Sequence, residues 1–400
     1  MTNSTSPPRR LLFVIDEDFG ALGTVMYLLH RQPLAAHATL LLPRRAYELH
    51  GAGLPVASRP YQSVQDILEI VETVSPDVVC LFSGYLFVSQ GLLSVGDLRM
   101  LVRTLLRRGC SVATSDPYVG TFRHFPEVEF PTKPGALQRH IKVLTRFLNR
   151  MMVERHVRAV ANILEDLPHI YPVPVDLPEG GAGPRRISFF NPSYIRSEAE
   201  LRENSASAPA LSKDSPGVPR WLFVIARFDL EFQQRKYGRQ GFVDLVAGKL
   251  REALDNGRHP TFIGPAEVVE GLSRQFARQP GVSLLGYCPF VEFEQRLLDA
   301  EAVFYWQLFS TSSFLRLWNG LPVFFFDRGH GARLLERLYQ ESMKLYYMGG
   351  SPIHLDVEAP LDAGKLEALG HAYRQSAEES RRRLARLPTP AQMIETILVR

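Results

Sequence analysis

Short apolar runs alternate with helical periods along most of this chain. LLFVID (Leu11 to Asp16), ATLLLP, PVAS and DVVCLF from Asp77 have the length of strands. Between them stand a helix from about Ala21 and the amphipathic stretch SVQDILEIVETV. The helix SVGDLRMLVRTLLRRG follows, ended by Gly109, and CSVATSDP then places Asp116 at a strand end. Strands separated by helices predict βαβ units on a parallel sheet. Ligands of such sheets gather outside the carboxyl ends of the strands, so Asp16, Glu17, Asp18, Ser83 and Asp116 are expected to face one crevice.

A periodic stretch from Leu137 to Leu164 reads as one or two helices, and HIYPVPVD and RISFFNPSYI read as extended segments closing the domain. From Ser197 to Pro219 the chain turns to Ser, Ala and Pro without an apolar period, which predicts a linker or mobile loop. The alternation then resumes. WLFVIA (Trp221 to Ala226) leads into a polar loop, the helix GFVDLVAGKLREALDNG, the strand HPTFIG, a helix to Phe276, VSLLGY, a helix to Leu298, AVFYW, a further polar loop, and a helix running into GLPVFFF. The expected division is residues 10–196, a linker at 197–219, and a second domain at 220–400 with the C-terminal helices. A length of 400 residues fits two domains.

Composition narrows the function classes. No apolar run approaches the roughly 18–20 residues of a membrane span, and LLFVID is too short for a signal-peptide core. Cys80, Cys110 and Cys288 stand far apart without a CxxC pair, which suits a reducing cytoplasm and suggests neither a disulfide framework nor a zinc site. A net charge of +4 is far from the dense basic surface of a nucleic-acid binder. A small anionic ligand held by a few arginines remains compatible.

The segment AVFYWQLFSTSSFLRLWNGLPVFFFD carries the clearest chemistry. A buried strand leads into Ser310, Thr311, Ser312 and Ser313, then into an amphipathic helix ended by Gly320. Hydroxyls, free backbone N–H groups and the positive end of a helix dipole suit a pyrophosphate. The plainer alternative is that one hydroxyl merely caps the helix.

In its order of elements this region resembles the nucleotide-sugar-binding domain of the GT-B glycosyltransferases. The matching features are Gly264 in a strand-Gly-Pro turn, Gly286 in SLLGY, the strand in LLDAEAVFYW, and NGLPVFFFD from Asn319 to Asp327. The resemblance covers residues 221–330 and implies an α/β protein of two Rossmann-like domains whose parallel sheets face a central cleft. It also implies that Arg227, just past the first strand, and Arg239, before Gly241, neutralise the leaving diphosphate together with the Ser310–Ser313 loop. Arg235 and Lys236 lie close by in the sequence.

Leu315 stands where retaining members carry a Glu, so the expected reaction is inverting, or catalysis is lost. An inverting enzyme needs a base from the first domain; Asp18 and Asp116 lead, with Asp16, Glu17 and His124 beside them. Asp116 is alternatively a turn former before Pro117, and Asp18 a helix cap; Arg123, His124 and His330 read more simply as loop residues. No DxD motif stands beside the diphosphate loop, so neither a metal nor a cofactor is expected beyond the nucleotide sugar as co-substrate. The expected partners are that donor and an acceptor of unknown identity. An epimerase acting on nucleotide sugars and a non-catalytic binding protein are the competing functions. The arginines of AEESRRRLARL read as a solvated helix face, in a tail that the resembling family folds back onto the first domain.

Overall fold

The computed structural model describes residues 9–16, 19–89, 91–115, 158–173, 186–197, 200, 218–308, 310–328, 347 and 352–398. The chain forms two compact units: residues 1–194 with 384–400, and residues 195–383.

Unit 1 carries the strands β1 (Leu11–Val14), β2 (Ala38–Pro43), β3 (Ala57–Tyr61), β4 (Val78–Leu81), β5 (Ser111–Thr114), β6 (His169–Tyr171) and β7 (Arg186–Ser188). They form one sheet in the order β3-β2-β1-β4-β5-β6-β7, and each neighbouring pair is parallel. Both faces are covered, so β1 and β4 are apolar at every position and buried throughout. The helices α1 (Phe19–Leu29), α2 (Val64–Val74) and α3 (Val95–Arg107) supply the crossovers. Two of them begin with reciprocal caps. The Ser63 hydroxyl accepts from the Asp66 N–H while the Asp66 carboxylate accepts from the Ser63 N–H, and Ser94 and Asp97 repeat the pattern.

The extended segment RISFFNPSYI closes the unit through Asn191. Its fully buried side-chain amide donates to the carbonyls of Tyr27 (2.7 Å) and His30 (3.0 Å) at the end of α1, and its backbone N–H donates to the Tyr27 hydroxyl at 2.7 Å. Carbonyls that a helix C-terminus leaves without partners are satisfied this way.

Unit 2 holds β8 (Arg220–Val224), β9 (His259–Ile263), β10 (Ser283–Leu285), β11 (Ala302–Tyr305) and β12 (Val323–Phe325), in the order β10-β9-β8-β11-β12 and again parallel. Its helices are α4 (Arg227–Tyr237), α5 (Arg239–Asp255), α6 (Ala266–Gln275), α7 (Phe290–Asp299), α8 (Thr311–Trp318) and α9 (Ala363–Leu384). The expected polar loop after WLFVIA is instead α4. Its sequence RFDLEFQQRKY lacks an apolar stripe because the side chains it buries include Asp229 and Gln233 beside Leu230.

The last helix, α10 (Pro390–Leu398), corrects the expected boundary at residue 400. It buries Met393, Ile394 and Ile397 and packs on β4, β5 and β7, within unit 1. The solvated reading of the tail arginines also needs revision. Arg382 and Arg383 pair with Glu378 and Glu379 on an exposed face, whereas Arg381 turns inward and donates to the Trp318 carbonyl. Most of the expected linker, with Glu17, Asp18, Asp116, Arg123, His124, His330 and the greater part of Leu137 to Leu164, lies outside the described residues.

Candidate functional site

In unit 2 the strand order reverses between β8 and β11, the position where a doubly wound sheet opens a crevice at its carboxyl edge. Two segments leave the sheet there. β8 runs through Ile225 and Ala226 into Arg227, the first residue of α4, and β11 runs through Trp306 towards Ser310, the N-cap residue of α8.

Ser310 makes no side-chain cap bond. The hydroxyls instead form a chain, with Tyr305 Oη 2.6 Å from Ser312 Oγ and Ser312 Oγ 2.6 Å from Ser310 Oγ. Tyr305 is completely buried, burial pushes its phenol well above the usual range, and Ser312 is its hydrogen-bond partner. Each hydroxyl of the chain can donate or accept, so Ser310, at its end, can turn either role towards a ligand. Ser313 has another role: it is fully buried, and its hydroxyl donates to the Ser310 carbonyl at 2.7 Å, closing the first turn.

α8 is fixed by a residue that sequence reasoning missed. Arg316 is completely buried, with Nη1 donating to the carbonyls of Leu297 and Ala300 at 2.7 Å each, and Nη2 to those of Glu301 (3.1 Å) and Pro322 (2.7 Å). Burial pulls its guanidinium down to about 9, which still leaves it charged at neutral pH. The end of α7 and the turn before β12 are thereby tied to the helix that carries the hydroxyls. No pattern in FLRLW signals this, because a lone arginine in an amphipathic helix ordinarily faces solvent.

Arg227 stands at the carboxyl end of β8 as expected, with its side chain 64% exposed and a 3.4 Å ion pair to Glu267 at the start of α6. Arg239 is the first residue of α5, beyond the whole of α4. An 11-residue helix spans roughly 16 Å, so the two arginines are not brought together. Gly264 follows β9, and a Cβ there would lie 2.8 Å from the Phe262 ring and 2.9 Å from Ile225. Its smallness serves the close approach of those two side chains. Leu315 is 2% exposed and so presents no polar group to a ligand.

The corresponding edge of unit 1 gathers Asp16 after β1, Ser83 and Tyr85 after β4, and Ser115 after β5. Asp16 is fully buried. Ser83 adopts a left-handed φ of 53° and its N–H donates to Ser115 Oγ at 2.8 Å. The next residue, Gly84, is packed so tightly that a Cβ would stand 2.6 Å from Thr114 Oγ1. Beyond them His169, 2% exposed, lies 2.9 Å from the Tyr85 hydroxyl through Nε2, while its Nδ1–H donates to the Leu167 carbonyl at 2.7 Å. Burial above all, with Arg186 nearby, brings His169 down to about 4 and keeps the ring neutral. Among the described residues no group of three or more His, Cys, Asp or Glu is placed to hold a metal ion, and no helix is long and apolar enough to cross a membrane.

No family model matches the chain, and no curated protein matches its sequence. Solved structures do. The glycosyltransferase SnogD from Streptomyces nogalater aligns over 98% of this chain and 100% of its own, with 14% identity and a TM-score of 0.51. The spinosyn forosaminyltransferase SpnP aligns over 98% and 100% with 13% identity and a TM-score of 0.50, and the glycosyltransferase VinC, solved in complex with DTDP, over 97% and 98% with 12% identity and a TM-score of 0.50. With two parallel sheets of Rossmann-like order and this full-length likeness, the chain has the GT-B glycosyltransferase fold.

Proposed function

We propose that the chain is a glycosyltransferase that moves a sugar from a nucleotide-activated donor, bound by unit 2, to an acceptor bound by unit 1. The observation that carries this reading is the hydroxyl chain Tyr305–Ser312–Ser310 at the start of α8, beside the switch point of the sheet. A diphosphate meets those hydroxyls together with the positive end of the helix dipole. Arg227 adds charge from the end of β8; its exposed pair with Glu267 is worth at most about 1 kcal/mol and yields readily to a phosphate. Arg239 serves the donor only at a distance.

The acceptor hydroxyl attacks the anomeric carbon in line with the bond to the diphosphate, that bond breaks, and the diphosphate leaves with its electron pair. A carboxylate of unit 1, Asp18 or Asp116, takes the acceptor proton. Inversion fits Leu315, which leaves the helix without the carboxylate of retaining members. Developing charge is met by hydroxyls, backbone and arginine, so the reaction is metal-independent and needs no cofactor besides the donor. The three cysteines, none in a disulfide, suit a reducing cytoplasm.

Calorimetry with uridine and thymidine diphosphates tests the donor site. The variant Ser310→Ala is expected to lower nucleoside diphosphate affinity about 10-fold while leaving nucleoside affinity unchanged, the loss of one hydrogen bond to a charged group. Equal affinity of variant and parent for the diphosphates would sink the reading. Incubation with nucleotide sugar alone, followed by analysis of the sugar, separates an epimerase, which needs no acceptor.

A further inference from the structure

We propose that Arg186 is an oxyanion-binding residue of unit 1 that recognises a carboxylate or phosphate group on the acceptor; this rests on the acceptor-binding role of that unit. Among the described residues Arg316 is held by four carbonyls, Arg258 by Glu301, Arg296 by Glu292 and Arg381 by Trp318. Arg186 differs from these four. It is half-buried, its side chain enters no hydrogen bond or ion pair, and its Nε–H is shut away from solvent with no acceptor. Such a donor costs about 1–3 kcal/mol, a standing penalty that a bidentate oxyanion across Nε and Nη would relieve.

Register fixes where this guanidinium stands. Arg186 pairs with His169, and His169 with Thr114, the last residue of β5. β6 and β7 therefore begin where β5 ends and rise past the carboxyl edge of the sheet, the edge where ligands bind. In-register neighbours share a face, so Arg186 stands with His169, whose other side meets the Tyr85 hydroxyl. The ring is neutral and its tautomer is locked by Leu167, so it brings an oriented polar wall and no charge of its own. Asp16 is the carboxylate nearest the edge by sequence reasoning, yet β1 is four strands from β7, about 19 Å at the usual strand spacing, too far to pair with Arg186. The cation is left for a ligand.

The experiment uses the full chain with saturating uridine diphosphate present, so that unit 2 is filled before unit 1 is probed. Melting temperature is followed against sodium phosphate and, separately, sodium acetate, each compared with sodium chloride at matched ionic strength. Phosphate, acetate or both are expected to raise the melting temperature of the parent; which one acts separates a phosphorylated from a carboxylated acceptor. Arg186→Gln is expected to weaken that response at least 10-fold and leave the uridine diphosphate response unchanged, and Arg186→Lys to keep part of it. In parent protein labelled with 15N-arginine, one Nε–H resonance, absent from Arg186→Lys, is expected to move on adding the active anion. This arm stands even where Arg186→Gln folds poorly. No response of the parent to either anion, or an equal response of parent and folded variants, would overturn the proposal. Failure of uridine diphosphate to bind the parent would instead remove the donor reading and leave the anion response of Arg186 to be judged alone.

Discussion

The carboxyl edges of the two sheets are built differently. In unit 2 the hydroxyl chain and the helix start come from Tyr305 to Ser313, neighbours in sequence on one strand-to-helix connection. In unit 1 the edge is assembled from the ends of β1, β4, β5, β6 and β7, and one of its polar contacts joins Tyr85 to His169 across 84 positions. A local site is specified by a short motif and tolerates drift elsewhere. A distributed one depends on strand register, so every crossover in the sheet bears on its geometry.

The largest effect is expected where the local site relies on a distant anchor. Arg316→Met should lower stability by about 3–5 kcal/mol in urea unfolding, because four carbonyls, two of them buried, lose their donor at once. A loss below about 1 kcal/mol would show that α8 holds its place without the clamp.

Acid tests the distributed edge next. His169 and His50 are both brought down to about 4 by burial, against 6.5 unperturbed, so below 6.5 the unfolded chain binds more protons than the folded one. Stability is therefore full above pH 6.5 and falls as pH drops towards 4, by up to about 3 kcal/mol for each histidine. His354 is depressed by burial as well, so His169→Gln should remove part of the fall, read from unfolding midpoints at pH 7 and pH 5. An undiminished slope would mean that the ring is not held neutral against Tyr85.

A finer division concerns neighbouring serines. Ser313→Ala should cost about 1 kcal/mol of stability and leave nucleoside diphosphate affinity unchanged, since that hydroxyl only closes the helix turn. Ser312→Ala breaks the relay to Ser310 and should lower that affinity. Similar binding losses for both would merge roles that the geometry separates. The smallest effect is reserved for Glu267→Gln, expected to change stability by less than about 0.5 kcal/mol and to strengthen diphosphate binding slightly by releasing Arg227.

These differences explain what could be read before the structure. The strands were legible because parallel strands buried on both faces are continuous apolar runs, as in LLFV and AVFY. The Ser-rich start of α8 was legible because its parts are adjacent, but the division between Ser313, which closes the helix turn, and Ser310, joined to the hydroxyl chain, needed the three-dimensional contacts. α4 was missed because Asp229 and Gln233 are among the residues it buries, Gln233 donating to Asp327 at 2.9 Å, and periodicity counts only apolar positions. Arg316 and Arg186 were illegible for opposite reasons. One is a charge hidden by carbonyls far along the chain, and the other an ordinary strand residue whose meaning lies in what fails to meet it.

The return of α10 to unit 1 also governs the order in which the molecule can be made. The chain leaves unit 1 after Tyr194, builds all of unit 2, and only then supplies the helix that covers β4, β5 and β7. During synthesis the first sheet therefore waits, with an apolar face uncovered, while nearly two hundred later residues emerge. Unit 2, contiguous in sequence, closes its own core without waiting. The first domain to be translated is thus the last to be finished, and a nascent chain arrested before residue 384 would present β4 and β5 to whatever chaperone holds exposed apolar strands.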